Sequence, residues 1–222
     1  CATMTLSLGT VTFAADWYVD DNAPPGGSGS GDFSNAFNSL QDALGAAGND
    51  DRIFVAQGTY KPTTGSDRTI SFEVTQRNLK LLGGFIGITD PGNTDDQDPV
   101  AYPTILSGDI DGDSVLDGDN SYHVLRVYTP PGQQALTRET RIDGFIIKHG
   151  YADGNGGFGQ GGGARIGGSV NDEIAGPTVA NCTVRDNLAD RGGGIAVISG
   201  GVDASEPLIR ECAIHDNEAT QS

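Results

Sequence analysis

In the last third of the chain, apolar and polar residues alternate in short runs that recur at a fixed interval. Cys182 and Val184 alternate with Thr183 and Arg185, and Cys212 and Ile214 alternate with Ala213 and His215. This is the two-residue period of a half-buried strand, and no helical stripe fits either run. The stretch GGGARIGGSVNDEIAGPTVANCTVRDNLAD from Gly161 is answered by GGGIAVISGGVDASEPLIRECAIHDNEAT from Gly192. Pro177 and Pro207, Cys182 and Cys212, Asp186 and Asp216, and Asn187 and Asn217 each stand thirty positions apart. A weaker copy, RIDGFIIKHGYAD from Arg141, can be laid on TVANCTVRDNLAD from Thr178, setting Phe145 on Cys182, Ile147 on Val184 and Gly150 on Asn187. Self-similarity of this kind marks stacked units that bury their apolar faces against neighbours. Gly150, Asn187 and Asn217 share one column. Gly and Asn accept a left-handed backbone, so the pattern predicts a bend there in every copy. An Asn side chain at such a bend bonds to turn backbone or to the Asn stacked on it. The expectation is a coil of parallel strands with about thirty residues per circuit.

Upstream the pattern changes. A short strand at Trp17 to Val19 precedes a Gly/Ser/Pro loop that runs through Gly31. Phe37, Leu40, Ala43, Leu44 and Ala47 then fall at helical spacing, with Ser34 or Asn35 as the cap and Gly48 as the stop. Such a helix would cover the first open rung, which otherwise presents a bare row of backbone donors and acceptors. From Arg52 the strands RIFVAQGTY, TISFEV, LKLLGGF, TILSGDI and HVLRVYT follow in order. Between Phe85 and Thr104, the Asp- and Pro-rich IGITDPGNTDDQDPVAYP must leave the coil as a loop. One elongated domain is expected over residues 16–222, with a cap over about 16–50 and coils over about 51–222. The repeats run to Ser222 without a closing element, so the segment is expected to be truncated at its C-terminus and to belong to a longer chain.

Composition narrows the partners. Thirteen basic against thirty acidic residues give a formal charge of −17, which repels phosphate backbones and excludes nucleic acid. Bare polyuronates and anionic membranes are disfavoured too, unless a divalent cation bridges the like charges. The 34 glycines, with no collagen-like triplet, read as tight bends in a repeat. Residues 1–15, CATMTLSLGTVTFAA, form an uncharged run ending in small residues, and Thr12 and Ala14 suit a signal-peptidase site. The expectation is a signal-peptide remnant whose basic start is missing. The competing readings are a first strand capping the coil and a lipid-anchored Cys1 that has no lipobox in view. No run of eighteen apolar residues follows, so no membrane span is expected.

The GGGA at 161–164 and GGGI at 192–195, alternating with VRDN at 184–187 and IHDN at 214–217, resemble known repeats. These are the GGA (then Ile, Leu or Val) and FxxN repeats of chlamydial polymorphic outer-membrane proteins. More broadly, they resemble bacterial proteins of the pectate-lyase superfamily. Val184 and Ile214 stand where that pattern has Phe, and Gly150 replaces an Asn. The order WYVD, Gly-rich loop, SLQDAL, DRIFVAQGTYKP resembles the entry segment of many secreted β-helix proteins. TILSGDIDGD followed by DNSYHV is similar to another phrase of theirs. The resemblance covers residues 16 to 222 and implies an all-β fold: a right-handed, single-stranded parallel β-helix with an N-terminal capping helix. It also implies a secreted or cell-surface module, a non-catalytic adhesin-like, glycan-binding or structural stalk. Its partners would be a polysaccharide or a cell-surface glycan or protein. The alternative within the same fold is a polysaccharide lyase or glycoside hydrolase, since the superfamily hosts both enzymes and passengers.

Candidate chemistry falls into three groups. Asp109, Asp111, Asp113, Asp117 and Asp119 crowd into DIDGDSVLDGDN and offer hard oxygens to calcium. The competing reading is a solvated acidic loop, and the EF-hand pattern fails because Ser114 holds the Gly position and Asn120 replaces the bidentate Glu. Lys148, Arg185 and His215 form an outward column beside Asp186 and Asp216. That column contains the types of a proton-abstracting base, or equally a solvated face of ion pairs. Asp143, Asp186 and Asp216 are the candidates for a paired-carboxylate hydrolase. Finally, Cys182 and Cys212 are expected in one column of adjacent rungs. They stand close enough to bridge, though stacked buried thiols acting as small hydrophobes suit their parallel aim better.

Overall fold

The computed structural model describes residues 14–167, 176–198 and 206–221. The proposed signal segment therefore lies outside the described residues, apart from Ala14 and Ala15. β1 (Asp16–Val19) and α1 (Leu40–Ala46) come first, and the first circuit beneath them holds β2 (Arg52–Ala56), β3 (Gly58–Tyr60) and β4 (Phe72–Val74). The second holds β5 (Lys80–Phe85), β6 (Thr104–Ser107) and β7 (Leu125–Val127). The third holds β8 (Arg141–Asp143), β9 (Phe145–Lys148), β10 (Tyr151–Ala152) and β11 (Ala164–Ile166). The fourth holds β12 (Thr178–Ala180), β13 (Thr183–Arg185), β14 (Leu188–Ala189) and β15 (Ile195–Val197). The last described strands are β16 (Leu208–Arg210), β17 (Ala213–His215) and β18 (Glu218–Ala219).

These strands form four sheets, in the orders β1-β2-β5-β8-β12-β16, β3-β6-β9-β13-β17, β4-β7-β11-β15 and β10-β14-β18. Every strand pair is parallel. The described residues are mainly β with one α-helix. From β2 onward the chain returns to the first, second and third sheets in that order, and from β10 onward the short β10-β14-β18 sheet is inserted between the second and third, an arrangement compatible with a parallel β-solenoid.

Register turns the repeat into columns. Ile53, Leu81, Ile142, Val179 and Ile209 are successive partners in the first sheet. Tyr60, Leu106, Ile147, Val184 and Ile214 are successive partners in the second. All are buried down to the fourth circuit, whereas Ile209 and Ile214 are 37% and 49% exposed. Strand alternation sends Ile53 and Val55 into this main core and Phe54 to the opposite face. There Phe54 joins Tyr18, Phe33 and Phe85 in a second cluster. Its rings sit 5.2 to 6.2 Å apart in stacked, tilted and edge-on pairs, adding to plain area burial.

The bends differ from expectation by one residue. The left-handed positions are His149, Asp186 and Asp216, with φ of 63°, 55° and 52°, and the column of Gly150, Asn187 and Asn217 follows them. The reason is the use made of the asparagines. Asn187, 1% exposed, donates from Nδ2 to the carbonyls of Ile147 and Arg185 and to Asn217 Oδ1, and accepts from the Gly150 amide. Asn217 repeats this one rung on, donating to Val184 and His215. The side chains face inward and satisfy the bend's backbone, which leaves the strained dihedral to the residue before.

The helix is also shorter than its apolar spacing implies. It starts after Ser39, whose hydroxyl accepts from the Asp42 amide at 3.3 Å, and Ser34 and Asn35 instead belong to a separate 3-10 turn capped by Asp32. Phe37 is taken out of the helix because its amide donates to Tyr18 and its carbonyl accepts from Asp20, closing the free edge of β1. No helix among the described residues is long and apolar enough to cross a membrane.

Candidate functional site

The second sheet carries the expected outward column. Ser107, Lys148, Arg185 and His215 are register partners on successive strands. After the last two of these strands, the left-handed aspartate aims its carboxylate back at the preceding residue. Arg185 is ion-paired with Asp186, and His215 Nδ1 lies 2.7 Å from Asp216 Oδ2. Lys148 has no acidic partner among the described residues. Asp143 does not join Asp186 and Asp216. It lies in the first sheet between Leu82 and Ala180, 1% exposed, held by Arg141 and by Asn181 Nδ2 at 2.9 Å. The carboxylate trio is thus divided between two sheets.

In the acidic loop, three of the five candidates converge: ligand atoms of Asp109, Asp111 and Asp113 lie within 4.8 Å of one another. Asp109 is 6% exposed, and its oxygens already accept from the amides of Gly112 at 2.8 Å and Ser114 at 3.2 Å. Burial alone would raise its carboxyl, but the Gly112 amide and Lys61 bring it below the usual carboxylate range. Asp119 is pushed up to about 6, first by a hydrogen bond with Asp117 and then by nearby Asp111 and Asp113. Asp117 Oδ1 accepts from the Asp119 amide at 3.3 Å, and neither residue is in the converging set. Cation binding here needs water or backbone oxygens to complete the six to eight ligands that calcium takes.

Cys182 and Cys212 are free thiols in adjacent rungs. Each points at a backbone carbonyl two residues earlier, Ala180 at 3.1 Å and Arg210 at 3.2 Å. A hydrogen bond with Cys212, together with burial, pushes the Cys182 thiol up.

One constellation has no local signal in the sequence. Arg68 donates to the carbonyls of Asn120 (2.6 Å) and Tyr151 (2.8 Å) and to Asp153 (2.7 Å), and its guanidinium lies 4.1 Å from the Tyr122 ring centroid. Tyr122 packs on Phe158 at 5.0 Å, and Phe158 is 41% exposed. The loop carrying Phe158 also walls a cleft of about 300 Å³ lined by Asn155, Gln160, Asp190, Arg191 and Gln221. A Cβ on Gly159 would stand 2.7 Å from the Gly154 backbone oxygen, so the glycine there is required by close approach. The sequence shows one aromatic among seven glycines between 154 and 163. These glycines read as bends of the repeat, and the partners of Phe158 are separated from it in the chain.

Comparison of the chain with protein-family models, with curated proteins and with solved structures returns no match.

Proposed function

We propose that this chain is a secreted or cell-surface module built as a right-handed parallel β-helix, and that it binds a glycan without catalysing its cleavage. The observation that carries the reading is the wall around Phe158. An exposed aromatic ring on the loop that walls a cleft of planar amide, carboxylate and guanidinium groups suits a sugar, whose apolar face stacks on a ring while its hydroxyls bond to planar side chains. The pairing of Arg185 with its neighbouring Asp186 supports a structural role for that position, because a guanidinium held in an ion pair stays charged and takes no proton. Calcium held by Asp109, Asp111 and Asp113 is proposed as a stabiliser of the acidic loop.

Purified protein is to be titrated with a panel of neutral and acidic polysaccharides by affinity electrophoresis, with reducing-end and unsaturated-uronate assays in parallel. The expected result is retardation by a member of the panel, weakened about tenfold or more by Phe158→Ala or Asp190→Ala. Lys148→Ala, Arg185→Ala and Asp186→Ala should leave it unchanged. Turnover abolished by those last three substitutions would replace this reading with a lyase or hydrolase.

A further inference from the structure

We infer that the cleft between α1 and β4 is a docking site for a short, uncharged, extended polypeptide segment, which adds to the free edge of β4. Strand β4 is the first strand of the third sheet and has a partner, β7, on one side only. The Phe72 amide donates to Val124 and the Val74 carbonyl accepts from Tyr128. Backbone direction alternates along a strand, so Ser71, Glu73 and Thr75 turn their amides and carbonyls away from β7.

Two glutamines serve part of that edge. Gln41 Nε2 donates to the Ser71 carbonyl at 3.1 Å and to Pro62 at 2.8 Å. Gln76 Oε1 accepts from the Thr75 amide at 3.1 Å, while its Nε2 donates to Leu44 in the last turn of α1 at 2.8 Å. A side-chain amide offers the same donor and acceptor as a peptide group, so both ends of the edge are filled by stand-ins for a strand. Between them, the amide and carbonyl of Glu73 have no partner among the described residues. The starting edges of the first two sheets are treated differently: the loop at 29–37 pairs with β1 through backbone, and the Asp21 carboxylate takes the Thr59 amide of β3 at 3.2 Å.

The space beside Glu73 is a cleft of about 460 Å³ lined by Gln41, Leu44, Gly45, Ser71, Glu73 and Gln76, among others. Ser71, 3% exposed, contributes a buried hydroxyl that has no hydrogen-bond partner. A lone donor–acceptor pair facing one way matches one residue of an extended chain, whose own amide and carbonyl face back. The orphan hydroxyl suits a Thr or Ser side chain across the new strand pair. The wall carries no uncompensated charge, because the Glu73 carboxylate is bonded to Arg126 at 2.6 Å and Tyr128 at 2.9 Å. The edge from Ser71 to Thr75 spans about 13 Å, which limits the contact to a few residues.

The probe is a capped tetrapeptide of alternating threonine and valine, titrated into nitrogen-15-labelled full chain and followed by amide shifts and hydrogen exchange. Saturation is expected to shift residues 69–76 and to protect the Glu73 amide from exchange. Glu73→Pro removes that amide but leaves the β7-facing bonds of Phe72 and Val74, and should weaken binding about tenfold. Glu73→Ala keeps the amide and should bind within about threefold of the parent. Gly45→Leu gives a variant whose fold is not at risk: a Cβ there meets no atom within 4 Å, and a helix-interior glycine is removed. Its side chain grows into the cleft and should abolish binding. Absence of shifts at 69–76, equal binding by Gly45→Leu, or equal binding by a folded Glu73→Pro would overturn the inference. So would a cleft occupied by a second copy of the chain or by an oligosaccharide in place of the peptide.

Discussion

The asparagine at 187 shows how one side chain holds a bend that its own dihedral does not make. It serves the Arg185 carbonyl of its own circuit and the asparagine beneath it, both partly buried, and the Ile147 carbonyl and Gly150 amide of the preceding circuit, both buried. Asn187→Ala leaves those groups unpaired, the buried ones costing about 1 to 3 kcal/mol each, so a total loss of about 3 kcal/mol is expected in urea unfolding. A loss under about 0.5 kcal/mol would show that water replaces the amide. A second residue effect is electrostatic. His123 is 2% exposed, and burial, helped by Arg165 and Arg126, drives its pKa from 6.5 down to about 4. Between those values the unfolded chain binds a proton that the folded one refuses. The stability associated with the neutral ring is therefore complete above pH 6.5 and falls as pH drops toward 4. The loss across that window is about 3 kcal/mol. His123→Phe should flatten the acid limb of the stability profile, and an unchanged slope would refute the assignment.

At the scale of elements, the strands were legible because their period survives folding, and the helix boundary was not because a neighbour competes for its residues. RIFVAQGTY does become two strands around Gln57, and TISFEV, LKLLGGF, TILSGDI and HVLRVYT each contain the strand expected of them. Phe37 lies on the helical stripe, yet its backbone is claimed by β1, so the cap moves from Ser34 or Asn35 to Ser39. No propensity scale contains that demand, since it comes from an unpaired edge that exists only once β1 is in place. The consequence is measurable. Ser39→Ala should cost about 1 kcal/mol in denaturant unfolding, as a lost N-cap does. Ser34→Ala, which removes the hydroxyl's bond to Asp32 in the exposed turn but keeps the amide's, should stay within about 0.5 kcal/mol. The reverse order would return the helix start to the position its apolar spacing suggests.

For the molecule as a whole, the columns were readable from the thirty-residue interval, whereas the sites were not. Lys148, Arg185 and His215 stand in register as their spacing requires, but whether each faces a substrate or its own aspartate depends on the dihedral of the next residue. The same holds for the wall at Phe158, assembled from residues 68, 122, 151 and 158 only after the circuits stack. Charge is the property that spans every circuit. With a formal charge of −17, the converging Asp109, Asp111 and Asp113 are a local maximum of repulsion in a chain already under strain from its own field. If calcium binds there, an excess of a hundredfold over Kd stabilises the fold by about 2.7 kcal/mol, a rise in Tm of about 5 to 10 °C. Asp111→Asn combined with Asp113→Asn separates the two effects because it moves them in opposite directions. In chelator it should raise Tm by relieving repulsion, and in calcium it should remove the response. A Tm that rises equally in sodium chloride of matched ionic strength would reduce the effect to screening and leave the loop without a specific cation.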